Sequence, residues 1–217
     1  MSSRIVFDLD GTLIDSAPDL HAIANALLAE EGATPISLDH AREFIGNGAS
    51  VFVQKMRAAG SIPDSEHARV LAAFTERYSD AVTLTQLYPG VRDALDRLHR
   101  EGHGLGICTN KPIRPCRAVL RHFGLDHYFT VVVGGDSLPV YKPDPAPLNA
   151  AFEALPEGPE VYVGDSEVDA ETAHHAKVPF LLFSEGYRKC PVERLAHSAA
   201  FRAFAELPGL VERICSE

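Results

Sequence analysis

Cysteine is scarce and scattered: Cys108, Cys116, Cys190 and Cys215 form no CxxC pair. Neither a zinc site nor a disulfide scaffold is supported, and free, reduced thiols are expected. Long apolar runs are missing as well. The longest stretches, such as residues 131–133 and 179–183, fall far short of the ~18 residues that cross a bilayer, which excludes a membrane helix. Positive charge is in deficit, with 20 Lys and Arg against 30 Asp and Glu and a net charge of −10 with neutral histidines. A field of that sign repels polyanions, so nucleic acid is not an expected partner, and an anionic substrate must be met by local cations. No signal-peptide core precedes Asp8 and Asp10, and the expected location is the cytoplasm. Repeats and low-complexity tracts are also lacking.

What is present is a globular composition, 46% hydrophobic and 23% charged over 217 residues, enough for one large domain or one core with an insertion. Short β-branched runs at residues 5–7, 104–108, 129–133, 161–163 and 180–183 predict strands. Helix-period apolar patterns at 91–101, 112–123, 145–154 and 168–176 alternate with the later ones. This is the pattern of a parallel sheet with crossover helices. Between residues 16 and 87 there is helical periodicity, for example Leu20, Ile23, Ala24, Leu27 and Leu28, and no convincing strand. About 70 such residues are too many for one crossover. The expected architecture is therefore α/β: a three-layer, Rossmann-like parallel-sheet core (residues 1–15 and 87–217) with a small helical cap inserted at 16–86. The cap helices are predicted at 18–31, at 38–60 with a break at Gly46-Asn47-Gly48, and at 65–82. A short helix near 201–207 and a final amphipathic turn after Pro208-Gly209 complete the chain.

Open parallel sheets bind ligands beyond the carboxyl ends of their strands. Asp8-Leu9-Asp10-Gly11-Thr12 follows the first predicted strand, Thr109-Asn110-Lys111 the second, and Gly164-Asp165-Ser166 with Asp169 the fourth, while Lys142-Pro143-Asp144-Pro145 opens a helix. If the strand stays extended, Asp8 and Asp10 face one pocket. Adding Asp165 and Asp169 crowds negative charge that only a cation or protons can relieve. The ligands are all hard oxygens, so Mg²⁺ is favoured over zinc, and Mg²⁺ with open positions points to phosphoryl chemistry. An aspartate can attack phosphorus, a second acid can shuttle the proton, and a hydroxyl and a lysine can hold the phosphoryl oxygens.

These four segments together resemble the haloacid dehalogenase superfamily of phosphohydrolases, over residues 5–169. The resemblance implies Asp8 as nucleophile, Asp10 as general acid and base, and Thr109 and Lys142 as phosphate ligands. It also implies Mg²⁺ held by the Asp8 carboxylate, the Asp10 main-chain carbonyl and Asp165, with Asp169 just behind them. Members that cleave carbon–halogen bonds lack the second acid, so Asp10 argues for phosphate esters.

Within that superfamily residues 10–20, Ile45-Gly46-Asn47-Gly48-Ala49 and residues 134–139 with 142–145 are similar to phosphoglycolate phosphatases; residues 172–177 and 187–190 are less typical. The implied reaction is hydrolysis of 2-phosphoglycolate to glycolate and phosphate. Asn110 joins Thr109 and Lys142 as a substrate-binding candidate, and Arg42 with Asn47 and Gly48 are the cap residues expected to receive the carboxylate. His174 and His175 are adjacent, ~100° apart on a helix, and so are not an i, i+4 ligand pair. The expected partner is a small phosphorylated metabolite, with the protein a monomer or homodimer. A phosphatase of another small metabolite, a β-phosphoglucomutase-like phosphomutase and a non-enzymatic phospho-aspartate receiver are the alternatives.

Overall fold

The computed structural model describes residues 2–216. Its centre is a six-stranded parallel sheet made of β1 (Arg4–Phe7), β4 (Gly104–Cys108), β5 (Val131–Val133), β6 (Glu160–Gly164), β7 (Phe180–Phe183) and β8 (Ala199–Phe201), in the order β5-β4-β1-β6-β7-β8. β1 pairs with β4 on one side and β6 on the other, from Arg4↔Gly104 and Arg4↔Glu160 up to Phe7↔Ile107 and Phe7↔Val163. The chain thus crosses over in opposite directions from β1, and the crevice at its carboxyl end is the place where such sheets hold ligands.

Alternation along the strands makes the layers. Ile5, Phe7, Leu105, Ile107, Val161 and Val163 share one apolar cluster with α5 (Val91–Arg100), α6 (Ile113–His122) and α9 (Leu207–Ile214). Val6, Cys108, Tyr162 and Leu182, from the alternate positions, pack against α7 (Ala146–Glu153) and α8 (Glu167–Ala176). Period-two alternation sends neighbouring side chains to opposite faces, so each strand feeds both layers.

The segment between β1 and β4 carries α1 (Ala17–Glu30), α2 (Leu38–Phe44), α3 (Gly48–Ala59) and α4 (His67–Tyr78), with an apolar cluster of their own around Leu20, Leu28, Phe52, Met56 and Phe74. At its base lies a two-stranded antiparallel ribbon, β2 (Ile14–Asp15) with β3 (Gln86–Leu87). This ribbon differs from the expectation of a strandless insertion, because two residues are too short to show periodicity. Buried Asp19 fastens α1 to the returning chain, accepting from Thr85 N at 2.8 Å and Thr85 Oγ1 at 2.6 Å.

The tail also departs from the sequence expectation. Residues 199–201 form the sixth strand, pairing with β7 as Phe183↔Phe201, in place of the start of a helix. Pro208 lies in the first turn of α9 and does not end a helix; amide hydrogens in a first turn have no helical acceptor, so proline costs nothing there. The first strand residues expected at 129–130 precede β5, behind a 3₁₀ turn at Asp126–Tyr128. Among the described residues no helix is long and apolar enough to cross a membrane.

Candidate active site

Asp8 is the first residue past β1, and its amide still continues the ladder by donating to Val163 O at 2.8 Å. This fixes the side chain at the sheet's carboxyl rim. Asp165 leaves the end of β6, and Asp169 sits in the first turn of α8, where Ser166 forms a reciprocal capping box with it. One carboxylate oxygen from each of Asp8, Asp165 and Asp169 lies within 4.8 Å of the others, and all three residues are buried.

The three acids are not equivalent. Asp169 is saturated: Oδ1 accepts from Lys142 Nζ at 2.6 Å and Tyr162 OH at 2.8 Å, and Oδ2 from Asp165 N, Ser166 N and Ser166 Oγ. Burial works against its ionisation, but Lys142, Ser166 and Tyr162 outweigh this and hold it below the usual carboxylate range. Asp165 accepts from Thr12 Oγ1 at 2.8 Å and Tyr187 N at 2.6 Å. Burial, then the charges of Asp169 and Asp8, push it well above its ordinary value. Asp8 is pushed up to about 6 by burial, against the pull of Lys142 and with further push from Asp169. Lys142 Nζ lies 2.9 Å from Asp8 Oδ1 as an ion pair. Its approach is not a hydrogen bond, and that buried oxygen has no other partner.

A carboxylate oxygen that has an ion pair but no hydrogen bond, beside a second buried acid, suits a hard cation with oxygen ligands. The position of Asp169, with every lone pair engaged, suits it to orienting Lys142 and the Asp165 turn. Lys142 is only 2% exposed; burial disfavours its charge, but Asp169 and Asp8 more than compensate and raise it above its ordinary value. It therefore presents a permanent positive charge to the site.

Asp10 has a different set of neighbours. Ser16 Oγ donates to Oδ1 at 2.6 Å, and Lys111 Nζ reaches Oδ1 at 3.0 Å. The turn between the two acids depends on Gly11, whose φ of +90° favours glycine and whose missing Cβ would stand 2.5 Å from Asp165 Oδ2. Asp8 and Asp10 border a common cavity of about 40 Å³ with Gly48, Thr109 and Asn110 on its wall, and a neighbouring one of about 20 Å³ with Asn47 and Asp165. Thr109 Oγ1 accepts from Lys111 N at 3.2 Å, which leaves its own hydrogen free for a ligand. Asn110 is already engaged: its Nδ2 donates to Gly46 O and Lys142 O, and its Oδ1 accepts from Lys142 N. It ties the break between α2 and α3 to the Lys142 loop.

The structure thus brings Asp8, Asp10, Thr109, Asn110, Lys142, Asp165, Asp169, Asn47 and Gly48 together. Arg42 is not brought there. Its side chain is 41% exposed, paired with Asp15 and Asp39, and faces a separate groove bordered by Lys55 and Lys189. Helical spacing placed it in the insertion but could not say which side of α2 meets the pocket. Missed by sequence reasoning were Lys111, Tyr78, Tyr162 and Tyr187. Lys111 carried a signal, being a lysine two residues beyond Thr109 at a strand end; Tyr78, 33 residues away in α4, carried none.

Comparison with known proteins agrees with this architecture. The Haloacid dehalogenase-like hydrolase family matches residues 5–183. A phosphoglycolate phosphatase of Cereibacter sphaeroides is 50% identical over 213 residues, covering 97% of this chain and 98% of that protein. One from Rhodobacter capsulatus is 45% identical, covering 98% of each. The crystal structure of a predicted phosphoglycolate phosphatase from Haemophilus somnus superposes with a TM-score of 0.89 at 30% identity, over 97% of this chain and 98% of that one.

Proposed function

Because the chain belongs to the haloacid dehalogenase-like hydrolases, we propose that it hydrolyses a small phosphomonoester, 2-phosphoglycolate, to glycolate and phosphate through an aspartyl-phosphate on Asp8. The observation that carries this reading is the buried Asp8 Oδ1, without a hydrogen bond and held 2.9 Å from the Lys142 ammonium, beside a cavity that Asp10 shares. The activity named for the relatives supports the substrate.

Asp8 attacks phosphorus, forming the Asp8–phosphorus bond as the ester bond to the two-carbon unit breaks. Asp10 gives its proton to the departing oxygen. In the second half Asp10 takes a proton from water as that water attacks the phosphoryl group, which releases phosphate and restores Asp8. Lys142 neutralises charge on the phosphoryl oxygens, and the free Thr109 hydrogen donates to one of them. Mg²⁺ would be held by the Asp8 and Asp165 carboxylates and the Asp10 main-chain carbonyl, with Asp169 orienting the turn behind them; when bound it supplies positive charge to the phosphoryl oxygens.

Residues 16–86 act as the cap, whose helices wall the cavity that Asp8 and Asp10 border. The small cavity favours a two-carbon substrate over a hexose, and hydrolysis over mutase chemistry. The enzyme is cytoplasmic and works as a monomer or homodimer.

The experiment is a comparison of kcat/KM over phosphorylated C2 to C6 metabolites, with and without Mg²⁺. 2-Phosphoglycolate should lead, EDTA should abolish turnover, and Asp8→Asn should be inactive. Activity indifferent to EDTA, or retained by Asp8→Asn, would refute the mechanism.

A further inference from the structure

A substrate such as 2-phosphoglycolate carries a second negative group, and the net charge of −10 gives it no general help. The cavity bordered by Asp8 and Asp10 is walled on the helical side by Leu20, Ile45, Ala49 and Phe52, which offer no hydrogen bonds from their side chains. Among the described residues on its wall there is one cation, Lys111.

The side chain of Lys111 is 2% exposed and comes off the loop that follows β4. Its ammonium lies 3.0 and 3.4 Å from the two Asp10 oxygens and 2.6 Å from Tyr78 OH, the last residue of α4. An ammonium has three hydrogens. The shared Asp10 contact and the Tyr78 contact use two, leaving one for a ligand in the cavity. Asn110 has no donor to spare, since both of its Nδ2 hydrogens are given to main-chain carbonyls, and the free Thr109 hydrogen is the one given to the phosphoryl group. Arg42 lies over a different groove.

We propose that Lys111, steadied by Tyr78 from the helical insertion, binds the substrate's second anionic group, a carboxylate next to the phosphate-bearing carbon. The inference rests on the substrate reading above and refines it. It makes Lys111 a specificity-determining residue, and it gives α4 a part in recognition, because the same tyrosine hydroxyl that receives the ammonium belongs to the cap. A neutral substituent in place of the carboxylate would leave the free ammonium hydrogen unused, whereas a carboxylate gains a charge-assisted hydrogen bond in a site shielded from water.

The test compares kcat/KM for 2-phosphoglycolate with that for 2-hydroxyethyl phosphate, which replaces the carboxylate with a neutral alcohol and keeps the same leaving carbon. Losses common to both substrates report the Lys111 contact with Asp10, so the ratio isolates the carboxylate contact. Lys111→Met should lower the ratio about 10- to 100-fold, the value of one hydrogen bond to a charged group. Lys111→Arg should restore part of it, and Arg42→Ala should leave it unchanged. Tyr78→Phe, a milder change, should lower the ratio several-fold and serves if Lys111→Met fails to fold. A ratio untouched in Lys111→Met, or in Tyr78→Phe where Lys111→Met fails to fold, overturns the role of Lys111 while the substrate reading stands. A wild-type ratio near one removes the substrate reading and this inference with it.

Discussion

Replacing Asp8 should make the metal-free protein more stable. Asp8 is buried, and its pKa is pushed up from 3.8 to about 6. A carboxyl raised in the folded state favours folding fully below its unfolded value and loses that contribution as pH rises through the folded value. Between about pH 4 and pH 6 the metal-free protein therefore gives up about 3 kcal/mol, at ~1.4 kcal/mol for each pH unit separating the two values. Above pH 7 the ionised Asp8 remains as a standing penalty already reduced by Lys142. Asp8→Asn has the shape and neutrality of the protonated acid, so at pH 7.5 in EDTA it should unfold about 3 kcal/mol less readily than the wild type. For a chain of this length that is about 6–12 °C in Tm. The measurement is thermal or urea unfolding of both proteins at pH 4 and pH 7.5. The advantage should vanish at pH 4, and saturating Mg²⁺ should stabilise the wild type more than the variant. An Asp8→Asn protein no more stable than wild type at pH 7.5, or an advantage equal at both pH values, would refute the reasoning.

Three further outcomes follow from the same geometry. Lys142→Ala should lower kcat on the order of 10²-fold or more; because it also leaves buried Asp8 and Asp169 without their cation, unfolding should become easier by about 3–5 kcal/mol, as denaturant titration would measure. Gly11→Ala, which forces a side chain into a φ of +90° and against Asp165 Oδ2, should raise the Mg²⁺ concentration needed for half-maximal turnover far more than it changes KM for the phosphate ester. Asp19→Ala should cost about 2–3 kcal/mol of stability, because Thr85 N and Oγ1 lose a buried acceptor; an unchanged Tm would mean that the base of the helical insertion is held elsewhere.

Much of the rim was legible because its chemistry sits where strands end. Asp8, Thr109 and Asp165 each follow a short apolar run, and the sheet places such residues side by side whatever the loops do. The parallel core was legible for the same reason, down to the matching limits of β4 and β7. Interactions between distant segments were less so. Tyr78 meets Lys111 and Asp10 only because α1 and α4 pack in a particular way, and no local pattern encodes that packing. Arg42 illustrates the converse: periodicity put it on a helix, but the side of the helix it occupies depends on how that helix docks. In the tail, the apolar and small residues at 199–201 suit a strand or a helix equally, and the open edge of β7 decided between them.

Tyr187 gives the helical segment and the acidic rim a common reference point. Its amide hydrogen goes to Asp165, its hydroxyl to Asp15, Ala17 N donates back to that hydroxyl, and its ring lies in the apolar cluster of the insertion. The two modules are therefore not freely interchangeable. A chimera that grafts residues 16–86 from a relative while keeping a mismatched residue at 187 would inherit a misaligned joint, and transplanting the helical segment to alter selectivity should succeed only when position 187 travels with it.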